Sequence, residues 1–216
     1  MNTTKLGAEI VNTAISWLDS NCVEKGANNL YCNNKAIKWK DYGVVLDSGK
    51  AYCAAFACSV INTACKRFGI KVRMPLSPST YVLSDYAKKQ NNNQTLAVGA
   101  IGVRRYLNTD GGYTGSGHAV IIVEVKDGKV YTIEGNTGRN GVEGVLCKTY
   151  PYETFLNGTL YGEYPHNGHL IIHSELWGYT ASADNPFNPE SYECGKSSTG
   201  NSNKSKTNSR NYFLKK

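Results

Sequence analysis

One run constrains this chain more than any other: Ala51-Tyr52-Cys53-Ala54-Ala55-Phe56-Ala57-Cys58-Ser59-Val60-Ile61-Asn62-Thr63-Ala64-Cys65. It follows a turn-like Asp47-Ser48-Gly49-Lys50 and meets neither Gly nor Pro before Gly69. That leaves room for about four helical turns at 3.6 residues each. Small and apolar side chains stand almost all the way round, which predicts a buried helix. Cys53 falls at its start. There the unpaired N–H groups and the positive end of the helix dipole favour an anion, and a thiolate is one. A histidine beside it would let the thiol ionise near neutral pH.

The remaining chain is read for the means of supplying that histidine. His118 follows the Gly-rich Gly115-Ser116-Gly117 and is expected to begin a strand near a cleft. Asp127-Gly128 is a strong hairpin signal. After it, Thr132, Glu134 and Asn136 alternate onto one face at period two. The returning strand therefore brings Glu134 or Asn136 back toward His118. Either would orient the imidazole in its productive tautomer.

Around these residues the pattern is helical first and stranded second. Residues 3 to 20 predict an amphipathic helix with Ile10, Ala14, Trp17 and Leu18 on one face and Thr3 or Thr4 as cap. An irregular stretch follows over Glu24–Asn29, then a short helical segment around Ala36–Trp39. Another short helix is predicted over Val82–Lys89, and Asn91–Gln94 is read as a surface loop. Strands are predicted at Val98–Tyr106, His118–Val125, Lys129–Glu134, Val142–Tyr150 and Gly168–Ser174, with Asn108–Gly117 as a Gly-rich turn. This is an α+β layout with a meander of about five antiparallel strands. Residues 1–177 form the expected folded domain. Residues 178–216 are read as a basic Ser/Asn/Lys-rich tail, largely disordered.

The net charge of +7 favours anionic partners, among them the polymers of a bacterial wall. Charge alone argues poorly for nucleic acid, and no nucleic-acid module is recognisable. Seven cysteines cannot all pair. Cys58 and Cys65 are read as core residues, and Cys22, Cys32, Cys147 and Cys194 as plain thiols. His166, His169 and His173 are weighed as a zinc cluster, but no carboxylate or cysteine accompanies them at ligand spacing, so no metal is expected. The N-terminus lacks the charged start and apolar run of a secretion signal, and no segment is long enough to span a membrane. The expectation is a chain made in the cytoplasm.

Tyr52-Cys53-Ala54-Ala55-Phe56, Gly117-His118-Ala119-Val120-Ile121-Ile122 and Val130-Tyr131-Thr132-Ile133-Glu134-Gly135-Asn136-Thr137-Gly138 together resemble the three signature blocks of the CHAP family, the cysteine- and histidine-dependent amidohydrolases/peptidases of bacterial and phage wall lysis. The stretch Glu24–Asn29 resembles the family's N-terminal region, and the likeness runs in order from about residue 6 to 173. The resemblance implies a papain-like fold, with the nucleophile helix packed on a small antiparallel sheet. It implies Cys53 as nucleophile, His118 as base, Glu134 as the orienting residue and Asn136 as a further polar member of the site. The implied substrate is an amide of peptidoglycan, cut by an endolysin or a virion-associated lysin acting on the wall. Tyr52 stands where the family often has Trp, and Ala100 follows Gly99 where Asp is common. Some relatives hold calcium in an Asp-rich loop; here Asp41 and Asp47 are scattered, so no cofactor is expected. Two other roles remain open: a virion assembly protein that contacts other particle components through its basic tail, and an antibacterial amidase toxin.

Overall fold

The computed structural model describes residues 2–90, 95–139, 141–159, 165–178 and 180–196. The loop expected at Asn91–Gln94 and residues 197–216 of the expected tail lie outside them. The order of elements is β1 (Thr3–Thr4), α1 (Lys5–Asp19), β2 (Val23–Glu24), β3 (Leu30–Cys32), β4 (Lys35–Ala36), α2 (Cys53–Arg67), α3 (Thr80–Lys89), β5 (Ile101–Leu107), β6 (Tyr113–Lys126), β7 (Lys129–Arg139), β8 (Val142–Pro151), α4 (Tyr152–Asn157), β9 (Leu170–Ile172), β10 (Ser182–Ala183) and β11 (Gly195–Lys196). The α+β class is as expected. The segment around Ala36–Trp39 is not helical: it is β4 followed by a 3-10 turn at Trp39–Tyr42.

The large sheet is wider than the five strands expected. Eight strands follow one another in the order β4-β3-β2-β8-β7-β6-β5-β9, and β11 pairs with β8 in parallel. The extra strands are two or three residues long, too short for an alternating pattern to show. They join because Val23 of β2 pairs with Gly144 of β8. Between β6 and β7, Asp127 (φ 51°) and Gly128 (φ 69°) take the two left-handed conformations of a type I′ turn, whose twist matches the strands on either side.

Both faces of the sheet are covered. One face presents Ile101, Val103, Ala119, Ile121, Val123 and Ile133 to α1 and α2. The other presents Ala100, Val120, Ile122 and Val130 to Phe155 of α4, with Tyr150 and Ile171. Strands buried on both sides read as continuous apolar runs, which is why His118–Val125 shows little alternation. Helix α2 is buried almost all round, with Cys58 and Cys65 in the core. It approaches β7 closely because residue 135 is glycine: a Cβ there would lie 2.6 Å from Phe56 Cβ. Trp17 of α1 stands edge-on to Phe56 at 5.6 Å and parallel to Trp39 at 6.0 Å, and Trp39 stacks on Tyr52 at 5.3 Å. These rings tie the segment before Cys53 to the first helix, each pair adding about 0.5–1.5 kcal/mol beyond burial.

Four cysteines read as plain thiols are paired instead. Cys22–Cys32 and Cys147–Cys194 are disulfides, and Cys53, Cys58 and Cys65 are free. Register explains both bonds. Val23 lies opposite Tyr31, so Cys22 and Cys32 are the next cross-strand pair. Gly195 lies beside Lys148, which sets Cys194 next to Cys147. In the chain-entropy account, loops of these lengths stabilise by about 3 and 4 kcal/mol. The second bond belongs to a larger finding about the segment after 177. Residues 180–196 are built into the body: β10 pairs with β1, and Phe187 is buried against Tyr131 and Tyr192. Among the described residues no helix is long and apolar enough to cross a membrane.

Candidate active site

The site forms where two neighbouring strands part. β6 and β7 pair from Lys126 and Lys129 up to Ile121 and Ile133, and no pair follows toward His118. The start of α2 lodges in that split. Cys53 Sγ lies 3.9 Å from the Gly117 carbonyl of β6, and the nearby Ala119 N–H favours the anionic form of the sulfur. On the other side the Tyr52 N–H donates to Asn136 Oδ1 of β7 at 3.1 Å. His118 is therefore within β6 rather than at its start, because pairing of Leu107 with Tyr113 carries the strand through the expected Gly-rich turn.

Three buried groups follow in line. The Cys53 thiol and the His118 imidazole stand close enough for each to favour the charged form of the other. His118 Nε2 lies 2.9 Å from Glu134 Oε2, which leaves Nδ1 for the sulfur. Glu134 Oε1 accepts from the Tyr150 hydroxyl at 2.7 Å and the Thr132 hydroxyl at 2.5 Å. Cys53, His118 and Glu134 expose 5 %, 6 % and 1 % of their surface, so the line is almost wholly shielded from solvent.

Electrostatics follow from those contacts. Burial opposes ionisation of the thiol, but the hydrogen bond and charge of His118, with the Ala119 and Ala54 N–H groups, bring the Cys53 pKa below its ordinary value. Burial likewise disfavours charge on His118, yet Cys53 and Glu134 as acceptors push its pKa up to about 10. Glu134 is pulled down to about 2, because His118, Arg104 and the Thr132 hydroxyl outweigh its desolvation. Each shift favours the charged form of its group: thiolate, imidazolium and carboxylate.

Asn136 sits elsewhere in the site than beside the histidine. It takes a left-handed conformation (φ 55°) and points at the segment before Cys53. Besides accepting from Tyr52, it donates to Glu24 Oε1 at 3.1 Å and Asn28 Oδ1 at 3.0 Å. The Tyr52 hydroxyl donates to the same Glu24 oxygen at 2.9 Å, and the Asn28 N–H to its other oxygen at 3.2 Å. Glu24, Asn28 and Tyr52 carry no local sequence pattern that foretells this network. The only trace was the irregular Glu24–Asn29 stretch, where β2 turns into β3. A cavity of about 420 Å³ opens nearby, lined by Asn28, Leu30, Trp39, Val45 and Ser48 among others, but not by Cys53 or His118.

The three other histidines bond to other partners, and the His166 and His169 rings also meet edge-on at 5.4 Å. His169 stacks on Phe155 at 3.8 Å, and its Nδ1 lies 2.9 Å from the Phe155 carbonyl. His166 Nδ1 accepts from the Gly168 N–H. His173 Nδ1 lies 2.8 Å from Glu175 Oε1.

No family model matches the chain, and neither a curated protein nor a solved structure matches it.

Proposed function

We propose that the chain is a cysteine amidohydrolase of the CHAP type, with a papain-like fold, that cuts an amide of bacterial peptidoglycan. The observation that carries this reading is His118 standing between the Cys53 thiol and the Glu134 carboxylate. A thiolate at a helix start, a histidine and an orienting acid form the nucleophile–base–orienter set of acyl transfer.

In the proposed reaction the Cys53 thiolate attacks the amide carbonyl. The oxyanion forms beside the first N–H groups of α2, which have no carbonyl partner within the helix. The His118 imidazolium then gives its proton to the departing amine as the C–N bond breaks. In the second half, neutral His118 takes a proton from water, which attacks the thioester and frees the Cys53 thiolate. Glu134 holds the imidazole by Nε2 throughout. Asn136 fixes the Tyr52 backbone, and Glu24 its hydroxyl, and so the height of the sulfur in the split. The amide in question joins glycan to peptide stem, or lies within the peptide. The positive surface suits an anionic wall, and two disulfides suit an oxidising medium.

Digestion of purified peptidoglycan with mass analysis of the fragments tests the reading. Glycan-free stem peptides would mean amidase action, and split cross-links endopeptidase action. Intact wall after incubation with the folded protein would remove the assignment.

A further inference from the structure

Beside the catalytic line lies a cluster that the chemistry above does not use. Arg105 is the cross-strand partner of Gly117, whose carbonyl touches the Cys53 sulfur. A Cβ at Gly117 would lie 2.8 Å from the Thr80 hydroxyl, so the next residue, Tyr81, also stands close by. The Arg105 guanidinium carbon is 4.8 Å from the Tyr81 ring centre and 5.1 Å from that of Tyr113. Lys88 Nζ is 5.3 Å from the Tyr113 ring centre. Arg105 Nη2 donates to the Thr114 carbonyl at 3.0 Å, which fixes the fork.

Two features argue that this cluster faces a ligand. Tyr81 and Tyr113 are 61 % and 52 % exposed, so the rings do not serve the core. Among the described residues the ion pairs involve other groups, and neither Arg105 nor Lys88 meets a carboxylate. Aromatic faces hold the two cations in place without neutralising them. From Gly117 to Tyr113 the strand covers roughly 13 Å, the reach of about four extended residues.

We propose that Arg105 and Lys88, held by Tyr81 and Tyr113, form a subsite for a free carboxylate on the peptide arm of the substrate, a few residues from the bond cut. The proposal rests on the hydrolase reading for its substrate. A planar guanidinium with one arm already anchored offers a carboxylate its remaining donors, and Lys88 adds a point charge.

The test uses the Cys53→Ala protein, which holds substrate without turnover, and soluble muropeptides bearing free or amidated carboxylates. Calorimetry should show tighter binding of the free acid. Arg105→Gln should lower that preference about tenfold, and Arg105→Lys, which keeps the charge but loses the planar fork, should restore only part of it. Tyr81→Ala and Lys88→Gln should each lower it by about threefold. An unchanged preference in Arg105→Gln overturns the subsite. Wall stripped of its phosphate polymers should show the same Arg105 dependence; loss of the dependence on stripping overturns the carboxylate in favour of phosphate. The two readings separate cleanly. Normal wall digestion with Arg105-independent binding sinks the subsite alone. Arg105-dependent binding by a protein that digests no wall upholds the subsite and sinks the hydrolase.

Discussion

His118 and His169 are both buried, at 6 % and 2 % exposure, and Arg104, the cross-strand partner of His118, acts on His169 directly and on Glu134 beside His118. The charge states of the two histidines are opposite. His169 is pushed well below the ordinary histidine value, first by burial and then by Arg104, with a ring face and a carbonyl for company. His118 suffers the same burial and is pushed up, because a thiol and a carboxylate flank it. Burial by itself makes a histidine neutral and inert; two anionic partners reverse the sign. Arg104 matters to both. It depresses His166 and His169 while helping to keep Glu134 ionised, so a single cation sharpens the contrast.

The strongest way to break the contrast is to remove the sulfur. Cys53→Ala should abolish wall hydrolysis while its thermal unfolding stays within a few degrees of the parent. Full lysis by that variant would end the argument for a catalytic cysteine. Glu134→Ala comes next. It takes an acceptor from His118, Tyr150 and Thr132 together. Rate should fall about 10²–10⁴-fold, and stability by about 3–5 kcal/mol as a buried pair is broken. Measured by NMR, the His118 pKa should drop toward that of His169, and no drop would mean that Glu134 does not hold the charge.

Acid sharpens the same point. The Glu134 pKa is lowered in the folded protein, so its stabilisation is present above the unfolded value of 4.5 and is lost as pH falls toward about 2. Urea unfolding across that window should lose stability in the parent and lose less of it in Glu134→Gln. Asn136→Ala should act more mildly. It removes three hydrogen bonds and leaves alanine in a left-handed conformation, costing roughly 1–3 kcal/mol. Because the loss shifts the start of α2, the rate should fall by about 10–10²-fold. If Asn136→Ala keeps the full rate, the network with Glu24 is structural only. The smallest effect belongs to the neutral histidine: His169→Leu should cost under about 1.5 kcal/mol and leave wall hydrolysis at the parental level.

The two regions also differ in how far residues alone reveal them. Cys53, His118 and Glu134 carried local signals: a helix start, a Gly-flanked strand and an alternating return after Asp127-Gly128. His166, His169 and His173 carried only the look of a metal cluster, and the stacking of His169 on Phe155 carried no signal, since it joins a loop to a short helix. Asn136 was visible as a polar residue at the right period, but its role was not. Its positive φ turns it away from the face that Thr132 and Glu134 share, and toward Glu24, 112 positions earlier.

Local patterns therefore fixed the α+β class, the buried helix and its cysteine, the Asp-Gly hairpin and the return of Glu134 or Asn136 toward His118. Each of these depends on neighbours within one or two turns or strands. Tertiary structure decided the rest: the parting of β6 from β7, the helix start wedged between them, the disulfides, and the short strands that widen the sheet. These depend on register between distant segments. Register is a matter of which backbone groups find partners in three dimensions, and no run of residues records it.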